Sequence, residues 1–414
     1  MKNKILQNID NPSELEHLYR LDKVRFKKEF NNIYPDYKEN QSFQFWNLRL
    51  NYSNDAIKVG SHKEFWLVFI LTLIAGLIAN ISNFPSVHAE LFFTRNTAFV
   101  TIPFMSIYFL KKQQLSQKIW WIVGSIFVLA AVYINLIPDI PQSSSIKLAY
   151  IHLPLFLWTV LGYSYLGNSP FNYEKRIDFL KYNGDLIIMC AVIVLSCFLF
   201  TAITIGLFQL IGFKIEEFYM KHIAIWAIGG IPIFATYLIN NNPNIINKVS
   251  PIIAKIFTPL VFINLAIYLA ALIYAGKYPH NDRTLLLIYN ALLVGVLALI
   301  FFSVAESETL NKRSYKTILL LGLSILTIIV NAIALSAIGF RIMELGITPN
   351  RIAVLGGNIL IFIHLLLVSY CILNVLRNKS EANAIENSIA KYLPVYAVWT
   401  GLVAFLFPLL FSLK

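Results

Sequence analysis

From about residue 65 onward, apolar runs long enough to cross a bilayer recur almost to the end of the chain, separated by short polar breaks. A hydrocarbon core of about 30 Å takes roughly 20 apolar residues of helix, and the backbone inside it must satisfy its own hydrogen bonds. Eleven runs meet or approach that requirement: Phe65–Ser82, Asn96–Leu110, Ile119–Pro138, Leu148–Gly167, Leu186–Phe213, Ile223–Asn240, Phe257–Gly276, Thr284–Val304, Thr317–Gly339, Ile352–Val375 and Pro394–Leu413. The second is short and carries Pro103, and the fifth has room for a kink or an extra half-turn. The expected fold class is all-α: a polytopic transmembrane bundle of about 11 spans over residues 65–414, preceded by a small amphipathic helical segment, 1–64.

Composition agrees, with 57% hydrophobic and 14% charged residues and a mean hydropathy of +0.64, far from the profile of a soluble domain. Met1–Asn11 lacks the apolar stretch of a cleaved leader, so the first spanning helix is expected to serve as its own insertion signal.

The 34 Lys and Arg residues fall almost entirely between the runs. With the N-terminus inside, 25 lie on the cytoplasmic side; setting aside the 11 in residues 1–64 leaves 14 against 9. The positive-inside rule therefore places the N-terminus in the cytoplasm and the C-terminus outside. This distribution explains the formal net charge of +12 as attraction to anionic lipid headgroups, so membrane lipids are the expected partners and nucleic acid is not. Cys190, Cys197 and Cys371 all lie in apolar runs without metal spacing, and read as small core residues.

Residues 1–64 contain a helix start at Asn11-Pro12-Ser13-Glu14, with Asn as cap and Pro at the first helical position. Leu15, Leu18, Leu21, Phe26, Phe30 and Ile33 follow at near-helical spacing, interleaved with Lys23, Arg25, Lys27 and Lys28. Phe43, Phe45, Trp46, Leu48 and Leu50 suit a membrane interface. The segment reads as a helical cap, with a cytoplasmic protein partner or lipid sensing as the functional alternatives. Two loops are also amphipathic: Pro243 to Ile256, with Lys248 and Lys255 for headgroups, and Ser380 to Leu393, with Ser380 as cap and Ile385, Ile389 and Leu393 on one face. Both are expected to lie in the interface and connect spans.

No P-loop, HExxH, GxSxG or paired-cysteine zinc spacing occurs, which argues against an ATP-driven pump, a common membrane protease and any metal or other cofactor. The run centres contain essentially no charged residue, which disfavours a carboxylate-driven proton antiporter. They do contain Asn80, Asn135, His152, Asn264, Asn290, Asn331, Asn358 and His364. Any one is explained by interhelical hydrogen bonding worth about 1 kcal/mol or less. Asn290, Asn331, Asn358 and His364 recur in the late runs and are the candidates for a substrate pathway, His364 lying six residues beyond Asn358. Gly229-Gly230-Ile231-Pro232 is a candidate hinge, since broken helices expose backbone dipoles, although an ordinary kink also explains it. Ala75/Ala79 and Ala353/Gly357 are small residues spaced for close helix contact.

The most distinctive polar stretch runs from Phe340 to Arg351. Gly346 ends a turn, Thr348 caps, Pro349 opens the tenth helix, and Arg341 and Arg351 bracket Glu344 as a candidate anion or lipid-headgroup site. Here the sequence resembles a bacterial multipass membrane family known as domain of unknown function 4153, through Gly346-Ile347-Thr348-Pro349-Asn350-Arg351 and the helices around Asn281-Asp282-Arg283. Leu18-Tyr19-Arg20, Phe26, Phe30 and Trp46-Asn47-Leu48-Arg49-Leu50 are similar to the preface of its Bacteroidetes-type members. The resemblance implies a multipass topology in a bacterial inner membrane and no catalytic residues.

Three functions compete. The first is a permease- or channel-like protein for a small or lipidic solute, and the second a non-transporting regulator or assembly factor that binds a partner through residues 1–64. The third is an intramembrane enzyme acting on lipid, for which only Glu306 and Glu308 with Lys312 and Arg313, or His152, are available. The residues weigh against the enzyme.

Overall fold

The computed structural model describes residues 2–9, 11–21, 23–51, 61–210, 214–275, 283–306 and 314–411, and every regular element among them is helical. They form two compact units, Met1–Lys58 and Val59–Lys414. Outside the described residues lie the expected span ends at Phe213, Gly276 and Leu413, the pair Asn281-Asp282, and Glu308, Lys312 and Arg313. The same holds for the side chains of Lys23, Arg25, Lys28, Ile245, Lys248, Val249 and Ile252.

The first unit comprises α1 (Lys2–Gln7), α2 (Pro12–Leu21), α3 (Lys23–Ile33) and α4 (Gln41–Asn51). Asn11 caps α2 by accepting the Glu14 N–H at 3.2 Å. The helices enclose a core of Ile5, Leu15, Leu18, Phe26, Phe30, Ile33, Phe43, Trp46 and Leu50. Phe43 and Trp46 are thus core residues, because the inward stripe of α4 runs through 43, 46 and 50 and leaves Phe45 and Leu48 outside at 60% and 66% exposure. Leu21, the last residue of α2, also lies outside. Glu16 joins α2 to α4, with Arg20 Nε 2.8 Å from one carboxylate oxygen and an Arg49 guanidinium nitrogen 2.8 Å from the other.

In the second unit α5 (His62–Asn80), α6 (Ala89–Lys112), α7 (Gln117–Leu136), α8 (Ser144–Leu166) and α9 (Tyr173–Leu210) come first. Then α10 (Glu216–Phe218) continues through a π-helical stretch, Tyr219–Ala224, into α11 (Ile225–Asn241). Next come α12 (Pro243–Ala275), α13 (Arg283–Ala305), α14 (Tyr315–Leu345) and α15 (Pro349–Leu376). Finally α16 (Asn383–Gly401) passes through a second π-helical stretch, Leu402–Leu406, into α17 (Phe407–Leu410). Among the described residues eight helical stretches are long and apolar enough to cross a membrane. Two shorter apolar stretches, Ile253–Ile267 and Tyr289–Ala305, lie in α12 and α13, and α6, with Arg95, Asn96 and Pro103, is in neither group.

Successive long helices alternate in direction. The side on which α5 begins, here called proximal, therefore also carries the start of α9 and α12 and the end of α13. Glu64 at the start of α5 accepts Tyr108 Oη–H at 2.7 Å, the Lys112 amine at 3.3 Å and the Asn241 amide at 3.2 Å, tying three helix ends together. On the opposite, distal side, Arg95 of α6 donates to the Asn135 and Ile137 carbonyls at the end of α7, at 3.3 and 2.8 Å.

Three local expectations are corrected. Pro243 to Ile256 is the first part of α12, one 33-residue helix that continues past Pro251 and Pro259. Ser380 does not cap α16, whose N-cap is Ala382, and Ile385 and Ile389 are fully buried in the largest core cluster. Their apolar face therefore meets protein. Finally, α11 is unbroken through Gly229, Gly230 and Pro232, and the irregular turn lies earlier, at Tyr219–Ala224. Thr236 donates its hydroxyl back to the Pro232 carbonyl at 2.7 Å, an i−4 bond common for threonine in a helix.

The glycines instead bring helices together. A Cβ on Gly229 would lie 3.0 Å from Val100 and one on Gly230 2.5 Å from Thr72, so the pair forms a seam with α5 and α6. Across the same seam Trp226 of α11 lies flat on Gly76 of α5, where a Cβ would come within 2.7 Å of the indole. Trp399 covers Gly356 and Phe302 covers Gly184 in the same manner.

Two outcomes are expected. Gly76→Val should lower the unfolding temperature in detergent, by an overpacking cost of about 1–3 kcal/mol, while Gly124→Val, whose Cβ meets nothing within 4 Å, should not. Equal behaviour of the two would remove the seam. In the first unit, the Arg20 hydrogen bond and then Arg49 hold the Glu16 carboxyl below its ordinary value. Because folding lowers this pKa, the tie is complete above the ordinary carboxylate range and is lost as pH falls through the lowered value. Amide exchange in α2 and α4 should accelerate over that acidic interval and be pH-independent, after correction for intrinsic rates, in Glu16→Gln.

Candidate functional site

Three of the four late-run polar residues join into one chain. Asn358 of α15 donates its amide to Asn290 Oδ1 of α13 at 3.0 Å, and Asn331 of α14 donates to the Asn358 carbonyl at 3.1 Å. Asn331 and Asn358 are buried, so these amides bond helix to helix. His364 lies further along α15 and is fully buried, its Nδ1 3.0 Å from Tyr396 Oη. Its ring stacks on Tyr392 at 4.3 Å and faces Phe301 at 4.9 Å. Sequence separation alone gave no sign of this ring cage, because Tyr392, Tyr396 and Phe301 come from α16 and α13.

The other polar residues are placed more simply. His152 Nδ1 is 2.9 Å from the Leu148 carbonyl, Asn80 bonds the Gly76 carbonyl, and Asn135 exchanges amide hydrogen bonds with Asn96 at 2.8 and 3.1 Å. Asn264 is exposed on α12. Thr348 accepts the Arg351 N–H, Pro349 opens α15, and Gly346 ends α14 at φ +75°, the left-handed region that glycine enters freely. The Arg351 guanidinium donates to the Leu345 and Gly346 carbonyls at 2.8 and 2.6 Å and so closes this turn. Among the described residues no ion pair joins Glu344 to Arg341 or Arg351. Nor do these residues include a group of three or more His, Cys, Asp or Glu able to hold a metal.

The chemistry that sequence reasoning missed lies on the proximal side. A groove of about 480 Å³ opens sideways between α8, α9, α12 and α13. Leu180, Gly184, Ile187 and Ile188 of α9 line it, with Ile253 and Phe257 of α12 and Ala298, Leu299, Phe301 and Phe302 of α13. Trp158 and Asn183 also line it, but Trp158 Nε1–H donates to Asn183 Oδ1 at 2.8 Å, which leaves the lining almost wholly apolar. Phe302 lies against the bare backbone of Gly184 and brings α13 into contact with α9 beside the groove.

One turn proximal of Gly184 and of Phe302, Lys181 and Glu306 form an ion pair at 3.7 Å. Only 1% of the Glu306 side chain is exposed, against 33% for Lys181. Next to this pair a small cavity of about 30 Å³ is lined by Lys255 and Thr258 of α12, Ser303 and Glu306 of α13, and Tyr315 and Lys316 of α14. Thr258 and Ser303 hydroxyls lie 2.7 Å apart. Glu306 is the first charged residue beyond the eighth apolar run, whereas Asp185 stands between Lys181 and the fifth, so the sequence singles out one partner of the pair and not the other. The groove gave no such signal, because four helices contribute to it. A second, wider hollow of about 640 Å³ on the distal side is bordered by Glu90, Thr94, Asp139, Lys147 and Tyr150.

Lys181→Met should remove the ammonium beside the buried Glu306 carboxylate and cost about 2 kcal/mol, below the roughly 3–5 kcal/mol of a fully buried broken pair because Lys181 is a third exposed. Lys181→Met combined with Glu306→Gln should recover most of that loss. Chemical unfolding in detergent reads both, and a double variant no better than the single one would show that the pair does not govern stability.

Comparison with protein-family models, with curated proteins and with solved structures yields no match for this chain.

Proposed function

We propose that the chain is a multipass protein of a bacterial inner membrane, with its N-terminus in the cytoplasm and its C-terminus outside, that takes in a lipidic solute sideways from the bilayer. The observation that carries this reading is the laterally open apolar groove between α9, α12 and α13. A water-soluble solute gains nothing from such a lining, whereas an acyl chain enters it without losing apolar surroundings. The polar side chains of the late spans support the lipidic form of permease over one for a small polar solute. Asn358 bonds Asn290, Asn331 bonds the Asn358 backbone carbonyl, His364 is enclosed by rings, and none of them borders the groove or the two cavities.

What supports eleven crossings is that all eleven apolar runs fall in long helices, including α6, α12 and α13. The cytoplasmic assignment of the proximal side rests on the 14 against 9 distribution of basic residues. Membership of the domain of unknown function 4153 family is likewise our proposal, supported by the Gly346–Arg351 turn that closes α14 and opens α15. A second reading, a membrane regulator that binds a cytoplasmic partner, is favoured by one feature: Phe45 and Leu48 stand three residues apart on α4, both exposed.

A phospholipid with a photoreactive group in its acyl chain tests the first reading on the full-length protein in bilayers. Labelling should concentrate on residues 180–188, 253–257 and 298–302, above the level on the lipid-facing α7 residues Val128, Leu129 and Val132, and Ala298→Trp should abolish the excess. Even labelling of all lipid-facing helices would sink the proposal.

A further inference from the structure

We infer that the groove takes the chain of an anionic phospholipid, whose phosphate is held at the neighbouring small cavity by Lys255 and Lys316; this rests on the lateral-entry reading above. The groove and the cavity lie on the two sides of the contact between α12 and α13. Helix α12 turns Ile253 and Phe257 to the groove and Lys255 and Thr258 to the cavity. Helix α13 does the same with Phe302 on one side and Ser303 and Glu306 on the other. Both lie at the proximal ends of the two helices, where a lipid headgroup stands.

The charge balance selects the headgroup. Three ammonium groups, Lys181, Lys255 and Lys316, surround one buried carboxylate, Glu306. Lys181 forms an ion pair with that carboxylate, while Lys255 and Lys316 form no ion pair among the described residues. The remaining two ammonium groups can each donate to one phosphate, and its single negative charge leaves the site still positive, which favours a headgroup with no cation of its own. The Tyr315 phenol adds a neutral donor along the same wall, while Thr258 donates its hydroxyl to the Ala254 carbonyl at 2.7 Å and Ser303 bonds Thr258. At about 30 Å³ the cavity has room for about two waters by the same measure, so it receives phosphate oxygens and leaves the rest of the headgroup in solvent. A zwitterionic headgroup would bring its own ammonium toward two lysines and lose the advantage.

The full-length protein, stripped of lipid and reconstituted with phosphatidylcholine and a minority of phosphatidylglycerol of identical chains, provides the test. After return to detergent, native mass spectrometry counts the lipid of each kind that stays bound. The wild type should retain phosphatidylglycerol over phosphatidylcholine by roughly tenfold or more relative to the mixture, at about a factor of five per lysine. Lys255→Gln with Lys316→Gln should retain lipid without that preference, and Ala298→Trp should retain neither lipid. Equal retention of both lipids by the wild type, or a preference undiminished in the lysine variant, would overturn the headgroup assignment and leave the groove standing. Unchanged retention in Ala298→Trp would instead overturn the groove itself. Lys255 is exposed, so Lys255→Gln alone, compared with wild type by unfolding temperature, keeps the headgroup test valid if the double variant is unstable.

Discussion

Helices in a bilayer have no water to flee, since lipid tails are as apolar as leucine, so they associate only as well as they fit. In this chain the fit is made largely by aromatic rings lying on glycines. Trp226 on Gly76 joins α11 to α5, Trp399 on Gly356 joins α16 to α15, and Phe302 on Gly184 joins α13 to α9. A flat ring against a bare backbone maximises dispersion contact between two helices and needs no polar partner. The arrangement also fixes where the helices cannot close further. Beside the Phe302 contact, α9 and α13 part to leave the groove.

Polar groups are then sorted by depth. In the interior, Asn358 bonds Asn290 and Asn331 bonds the Asn358 backbone carbonyl across three helices, with Asn331 Oδ1 buried and without a hydrogen-bond partner among the described residues. Among the described residues charges gather toward the helix ends, where Glu64 meets Tyr108, Lys112 and Asn241, Arg95 clamps the end of α7, and Lys181 meets Glu306, while Asp185 is buried deeper, next to Gly184. A buried carboxylate beside an ammonium is costly to desolvate, and it remains here in contact with a rim that also carries two lysines without ion pairs. This sorting leaves an apolar slot with a cationic end, which is the shape of an anionic amphiphile.

Much of the fold was legible because hydrophobic run length is a strong signal. The Asn11-Pro12 start of α2 and the Gly346, Thr348 and Pro349 devices between α14 and α15 were equally plain, since capping is local chemistry. Facing was less legible. Ile385 and Ile389 have the periodicity of an interfacial helix, and periodicity cannot tell whether lipid or protein covers the apolar face. Gly229-Gly230-Ile231-Pro232 has the composition of a break, yet close contact with Val100 and Thr72 is what its glycines serve. The asparagine chain, the ring cage of His364 and the groove were not legible at all, because each depends on which helices become neighbours.

Helix α9 is the structural member that reaches farthest. Its 38 residues extend about 57 Å, nearly twice the roughly 30 Å of a hydrocarbon core. A single rod of that length must either tilt or stand out of the bilayer, and the segment bearing Arg176, Asp178 and Lys181 is the part that emerges. Its distal half, from Val192 to Ile203, offers lipid a surface on nearly every side. Because the same rod forms one wall of the groove, the turns that carry Arg176, Asp178 and Lys181 continue that wall beyond its apolar lining, so one helix bears both the apolar face and the charged margin.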